Sequence, residues 1–358
     1  MSEVSIPIAS AKPMLSIDGQ DAPELDTALF ELVVAERSDG LARAEVAFGN
    51  WGTVDGSSGY TLFDRRKLEF GKRLEVRIAG TRVFTGRIMA LEGLFPKSGA
   101  GNAELLVLAE DKLQDLRMTR RTRSFAQMSD GDVARSLASD HGLRAEINLS
   151  GPTHVVLTQV NQSDLAFLRD RARALNAEIW VDDDTLHVAQ RPSRNSGAAI
   201  ALSYGTSLQS FTVRADLAGQ RTSLSVSGWS PADKQAVHEE ASASVLSSEL
   251  EGGDGGISIL QQVLGARSDS VSHLMPANAD EARGIAEAWL RQLGRRFVCG
   301  RGTARPEAQL RVGKHVDLGG VGPMFSGLYT LTEVSHRFDV AQGLRSEFAV
   351  ERPAIGRS

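Results

Sequence analysis

The sequence has one cysteine, Cys299, in 358 residues, so no disulfide can form within a chain and no cysteine-rich metal site can be built. A lone thiol suits assembly in a reducing cytoplasm. Long apolar runs are missing too. The longest, such as Leu105-Leu106-Val107-Leu108-Ala109, fall far short of the roughly 20 residues that cross a bilayer, so no integral membrane protein is expected. Positive charge is not in excess: the net charge is −5, which gives no general electrostatic reason to bind nucleic acid. The stretch Met1-Ser2-Glu3-Val4-Ser5-Ile6-Pro7 has neither a basic region nor an unbroken apolar run and does not read as a secretory leader. Aromatics make up only 6% while glycine reaches 35 residues, a balance that points to many turns and bulges in a β-rich chain. Hydrophobic residues at 41% and charged ones at 24% are those of a folded globular protein, and the length suits two or three domains.

What is present changes period along the chain. Up to about residue 112 the pattern is β. Around Leu29–Val34 both alternating faces are apolar, which predicts a strand buried on both sides. Leu74, Val76 and Ile78 alternate with Arg73, Glu75 and Arg77, which predicts a half-exposed hairpin through Ala79-Gly80-Thr81. Residues 49–59 are rich in glycine and serine and read as a loop. Ser129 then caps a helix with Asp132 at its third position and Gly142 as its stop. Ser163 caps a second helix, with Leu165, Leu168, Ala172 and Leu175 on one face and Asn176 as its stop. Residues 179–188 form a hairpin through Asp182-Asp183-Asp184, completing a small α/β module. Strands return at 207–229. Residues 230–256, rich in Ala, Ser, Glu and Gly, predict a mobile loop or weak helix. Asn278 caps a long helix with Glu281 at its third position, and residues 309–352 are strands again.

Two distant segments share a pattern. Gly71-Lys72-Arg73-Leu74-Glu75-Val76 is followed by Phe84-Thr85-Gly86 and Ala103-Glu104-Leu105-Leu106-Val107. Gly313-Lys314-His315-Val316-Asp317-Leu318 is followed by Phe325-Ser326-Gly327 and Ser346-Glu347-Phe348-Ala349-Val350. The order is the same and the spacing nearly so. This predicts two copies of one small β-barrel, with Gly86 and Gly327 at bulges or tight bends. Three such chains in a ring would present six similar barrels, a way to join a threefold object to a sixfold one.

No constellation of catalytic residues emerges. The seven histidines are scattered, without spacing for zinc. His336 beside Asp339 has no nucleophile pattern and reads as structural or surface. Asp182-Asp183-Asp184 lacks the glycine and distal glutamate of an EF-hand. Gly252-Gly253-Asp254-Gly255-Gly256 has no following Lys-Ser/Thr and reads as a flexible loop. The run Arg117-Met118-Thr119-Arg120-Arg121-Thr122-Arg123 reads first as a solvated linker leaving the first barrel. Its alternative reading is a contact with passing DNA or an acidic partner. Trp51, Trp180, Trp229 and Trp289 suit core or interface anchors. No residue is assigned a catalytic, cofactor-binding or metal-binding role, and no cofactor is expected.

Pro13-Met14-Leu15-Ser16-Ile17-Asp18-Gly19, Gln162-Ser163-Asp164-Leu165-Ala166-Phe167-Leu168, Val226-Ser227-Gly228-Trp229-Ser230-Pro231, Phe325-Ser326-Gly327-Leu328-Tyr329 and Val334-Ser335-His336-Arg337-Phe338-Asp339 follow one another along the chain. In that order they resemble the phage late-control protein D family, which is similar to baseplate hub proteins and to the N-terminal hub part of VgrG proteins. The resemblance implies a mainly β fold with α+β insertions, built as two small β-barrels plus an α/β module and forming a trimeric hub ring. The expected domains are residues 1–115 (first barrel), 116–195 (α/β module), 196–232 with 300–355 (second barrel) and 233–299 (an insertion with a mobile segment and the long helix). The resemblance further implies a non-enzymatic component of a contractile phage tail, a tailocin or an extracellular injection system. Its expected partners are two further copies, a separate trimeric spike, the tail tube protein and baseplate wedge proteins, with DNA or protein cargo passing a central channel. Candidate contacts between copies lie on the strands Arg73 to Ile88 and Leu310 to Leu318. Assembly in the bacterial cytoplasm and incorporation into a particle are expected. Two other readings remain: a tail-associated glycan or peptidoglycan hydrolase with carbohydrate-binding β domains, which needs paired carboxylates in a cleft, and a distal-tail protein of a non-contractile phage.

Overall fold

The computed structural model describes residues 12–38, 40–97, 101–194, 197–231, 233–272, 274 and 276–357, so the Met1–Pro7 stretch lies outside the described residues. The chain is mainly β, with a large antiparallel sheet. It divides into two compact units. One gathers Met1–Gln114, Thr303–Val312 and Glu333–Phe348, and the other Asp115–Gly302, Gly313–Thr332 and Ala349–Ser358.

In the first unit the strands run, neighbour by neighbour, Gln20–Asp21, Met14–Ile17, Arg73–Ile78, Thr81–Leu94, Glu104–Glu110, Arg43–Gly49, Leu29–Arg37 and then residues 333–339. Every pairing is antiparallel, so one face can be buried while the other stays accessible. The covered face holds Leu15, Leu32, Val46, Phe48, Leu74, Val76, Ile88 and Val107 in one apolar cluster. Strand Leu29–Arg37 is not buried on both sides as its composition suggested. A bulge at Leu29/Glu31 turns Leu29 to the same side as Leu32 and Val34, and Phe30 and Val33 stay partly exposed. Residues 49–59 also differ from expectation. They contain a hairpin, Gly52–Val54 with Ser57–Gly59, whose turn places Asp55 and Gly56 at φ 50° and 80°.

In the second unit, Arg120–Ser129 and Thr153–Ser163 form a two-stranded antiparallel ribbon. Each strand leads directly into a helix, Asp130–Asp140 or Asp164–Ala174. Ser129 and Ser163 cap these helices through side-chain oxygens that accept from Asp132 N and Ala166 N. Gly142 and Asn176, at φ 65° and 54°, end them. The hairpin Ala177–Asp182 with Thr185–Gln190 follows, and Arg144–Asn148 joins it in parallel. Asn278 caps helix Ala279–Arg295, whose Ala282, Ile285, Ala286 and Leu290 pack on Leu224, Val226, Val237 and Ala241.

Most of the expected mobile segment, residues 235–249, forms a strand and a 3-10 helix. Gln235–Ser242 pairs with Ser223–Ser230, burying Val237 and Ala241, and the 3-10 helix Ala243–Glu249 buries Leu246. Small residues made this stretch look weak, yet its alternate positions meet the long helix. Within the glycine run, Gly253, Gly255 and Gly256 are likewise packed. Asp254–Gly255 pairs with Ala354–Ile355, and a Cβ at Gly253 would sit 2.5 Å from Ile355 O.

The two Gly-Lys segments share a backbone signature. Gly71 N–H donates to Ile88 O and Ile88 N–H to Lys72 O. Gly313 N–H donates to Leu331 O and Leu331 N–H to Lys314 O, and all four bonds are 2.9 Å. Gly71 and Gly313 have φ 79° and 85°, the left-handed region that favours glycine. The Phe-x-Gly triplets, however, do not correspond. Leu74 faces Gly86, whereas Val316 faces Tyr329 and Gly327 lies opposite Leu318, so Tyr329 takes the place of Gly86. Gly86 is required locally, since a Cβ there would lie 2.4 Å from Glu110 O and 2.5 Å from the Phe84 ring.

Candidate functional site

Charged groups gather where the two ribbon strands enter their helices. Asp164 and Asp130 are each the first residue of a helix, 34 positions apart, and each is almost fully buried. Asp164 Oδ1 accepts from Arg123 Nη2 at 2.9 Å and Gln159 Nε2 at 2.8 Å, and its Oδ2 lies 2.8 Å from His141 Nε2. Asp130 accepts from Arg171 Nε at 2.5 Å and Nη2 at 3.1 Å, and lies 2.9 Å from His154 Nε2. Burial works against both charges, but the hydrogen bonds and neighbouring cations hold both carboxyls below the usual range. The arrangement is reciprocal. Arg123 and His141 belong to the first strand–helix copy and serve the aspartate of the second, while Arg171 of the second serves the aspartate of the first.

This corrects the reading of residues 117–123 as a solvated linker. Arg120, Arg121 and Arg123 lie on a paired strand; Arg121 and Arg123 are only partly exposed, because their guanidinium groups turn to Asp164. Arg123 also reaches Asp140 at 2.7 Å.

A cavity of about 490 Å³ lies in the second unit. Arg191 bridges Glu178 (2.9 Å) and Glu351, Arg295 grips Glu249 through two 2.7 Å bonds, and Arg352 stacks on the Tyr329 ring with its carbon 4.3 Å from the centroid. Arg352 donates to two carbonyls, Ser326 O and Met324 O, and burial lowers its pKa. Burial pushes the Tyr329 phenol up to about 12, and its hydroxyl donates to Phe325 O. Such a wall of paired charges fixes shape more readily than it supplies a proton donor or nucleophile.

The first unit carries an exposed aromatic group. Tyr60 lies 5.2 Å from Trp51, 5.2 Å from Phe63 and 6.0 Å from Phe95, and Trp51, Tyr60 and Phe95 are 47%, 46% and 65% exposed. Trp180 stacks on His187, Trp229 is half exposed, and Trp289 packs beside the long-helix cluster. Asp183, at φ 50°, sits in the tight turn between Ala177–Asp182 and Thr185–Gln190. His336 is buried, with Nδ1 3.0 Å from Ser346 Oγ. On strand Arg73–Ile78, Glu75 is covered between Arg73 and Arg77, at 3.1 and 3.2 Å. The reciprocal aspartates and the aromatic group escaped the sequence reading. The repeated Ser-Asp at 34-residue spacing was the available signal for the former.

A family profile described as the Alg8 N-terminal domain matches residues 14–339. No curated protein matches the chain. Among solved structures, the 43 kDa tail protein of prophage MuSo2 from Shewanella oneidensis superposes with a TM-score of 0.72 at 12% identity, over 96% of this chain and 99% of that one. A tail protein from Neisseria meningitidis MC58 gives 0.68 at 12% identity, over 97% and 98%. An E. coli component of the type VI secretion system, described as structurally similar to the T4 tail proteins gp27 and gp5, gives 0.57 at 11% identity, over 96% and 77%. The chain therefore has the fold of phage tail proteins, as its resemblance to the hub family implied.

Proposed function

The chain belongs to the Alg8 N-terminal domain family, and we propose that it is the baseplate hub of a contractile tail, a structural component without catalytic activity. Three copies form a ring around a central channel. Each copy contributes two barrel-like elements, one at each Gly-Lys segment, so the ring offers six similar surfaces to a sixfold tube. Its other end seats a separate trimeric spike, and wedge proteins hold its rim. Residues 1–115 and 196–232 with 300–355 are the barrel regions, 116–195 the α/β module and 233–299 an insertion. The outward side chains of the strands Arg73 to Ile88 and Leu310 to Leu318 supply contacts between copies. Assembly takes place in the bacterial cytoplasm, before incorporation into the particle.

The observation that carries this reading is the repeated backbone signature at Gly71–Ile88 and Gly313–Leu331, on a fold shared end to end with tail proteins. Co-expression with candidate spike and tube proteins, followed by native mass measurement and electron microscopy, tests it. A threefold complex carrying the spike is expected. A chain that stays single in the presence of both partners contradicts the reading.

A further inference from the structure

We propose that the cavity of the second unit binds a carboxylate carrying a single charge on a small apolar body, with Arg352 as the group that receives the charge. The inference concerns ligand recognition and goes beyond the structural role above.

Four arginines line the cavity, and three of them have a carboxylate of their own. Arg191 pairs with Glu178 and Glu351, Arg295 with Glu249, and Arg357 with Asp254 at 3.0 Å. Arg352 differs. Its Nη1 donates to Ser326 O at 3.1 Å and its Nη2 to Met324 O at 2.7 Å, both neutral acceptors. Its Nε is buried with no acceptor among the described residues. A guanidinium carries five N–H donors, so this one is under-used. The Tyr329 ring covers one of its faces and fixes its plane. Burial lowers the Arg352 pKa, as happens when a cation's surroundings do not repay its lost hydration. Charges drawn out of water are held by counterions, and an anion in the cavity supplies the one this arginine lacks.

The other lining residues define that anion. Glu249, Glu251 and Glu351 repel a doubly charged phosphate more than a singly charged carboxylate. A planar carboxylate also matches the flat guanidinium. Leu250, Leu328, Ala354 and Ile355 offer apolar wall to the rest of the ligand. The volume of about 490 Å³ falls within the ~300–1,000 Å³ of small-molecule sites. Gly327 leaves the guanidinium uncrowded: its φ is 124°, and a Cβ there would lie 3.1 Å from Arg352 Nη1. Two sources share this chemistry, the free end of a polypeptide and a small free acid.

Titration calorimetry with N-acetyl-leucine, N-acetyl-leucine amide and inorganic phosphate tests the site. The proteins are the unmodified chain, Arg352→Gln, Glu251→Gln and Val340→Ser, the last an exposed position of the other unit. N-acetyl-leucine is expected to bind the unmodified chain and Val340→Ser equally, about tenfold or more tighter than the amide or phosphate. Arg352→Gln is expected to lose about tenfold or more of that affinity. Glu251→Gln removes a like charge from an exposed position and is expected to gain about two- to threefold. Equal binding of acid and amide overturns the proposal, as does phosphate binding as tightly as the acid, or no binding of the acid. Should Arg352→Gln not fold, Glu251→Gln decides, since unchanged or weaker binding of the acid overturns the proposal. An alanine peptide ending in leucine with a free carboxylate separates the sources, and either result supports the carboxylate site. Tighter binding than N-acetyl-leucine marks a chain end, and equal or weaker binding marks a small acid.

Discussion

Arg171 binds Asp130 through two hydrogen bonds, at 2.5 and 3.1 Å, so that the start of one helix is tied to the second turn of the next. Removing one member of a buried pair leaves the other desolvated and uncompensated. Arg171→Ala is expected to cost about 3–5 kcal/mol. Asp130→Ala with Arg171→Ala should cost clearly less than the sum of the single changes. Urea unfolding of the four proteins measures the coupling.

His336 and Asp111 make opposite demands on pH within the first unit. Burial, helped by Arg311, lowers the His336 pKa to about 4, so the folded chain takes up its proton less readily than the unfolded one. Its contribution is complete above the unfolded value of roughly 6.5 and declines as pH falls toward 4. Burial raises Asp111 to about 7, against bonds from Ala42 N and Leu113 N. That contribution is complete below roughly 4 and is lost as pH rises through 7. Between pH 4 and 7 the two slopes oppose each other. His336→Asn should leave stability falling with rising pH, and Asp111→Asn should leave it rising. Unfolding midpoints at pH 4.5, 5.5 and 6.5 distinguish the two.

Gly86→Ala should be among the costliest glycine changes in the chain, above about 2 kcal/mol, because backbone at Glu110 blocks the new methyl. Gly71→Ala meets open space and should lose only the left-handed strain of about 1–2 kcal/mol. Gly313→Ala should exceed Gly71→Ala, since Arg194 Cδ lies 2.5 Å from its Cβ position. Thermal midpoints of the three variants give the ranking.

Ser129→Ala and Ser163→Ala should each cost about 1 kcal/mol, the usual loss of a helix cap. Ser129 has the larger expected effect, because Asp132 returns a bond to its N–H at 3.1 Å and completes a capping box. Denaturant midpoints check the order.

Caps and stops were legible in the sequence because they are local: Ser129, Ser163 and Asn278 act within three residues, and Gly142 and Asn176 end the turns they follow. The Gly-Lys pair was legible for the same reason, a backbone conformation few residues tolerate. What was hidden depends on distant partners. Residues 235–242 form a strand only because Ser223–Ser230 lies beside them and the long helix receives Val237 and Ala241. Arg123 looked solvated because Asp164 is 41 positions away, and Phe325-Ser326-Gly327 looked equivalent to Phe84-Thr85-Gly86 because spacing alone does not report register. Of the candidate site, the arginine run was visible, but its engagement with Asp164 was not.

The reciprocal arrangement of Asp130 and Asp164 has a consequence for chain continuity. Each half of the module carries the counterion of the other, so the link at residues 149–152, between Arg144–Asn148 and Thr153–Ser163, is not what keeps the halves together. A chain nicked there is expected to hold its shape as two fragments, and fragments made separately should reconstitute when mixed.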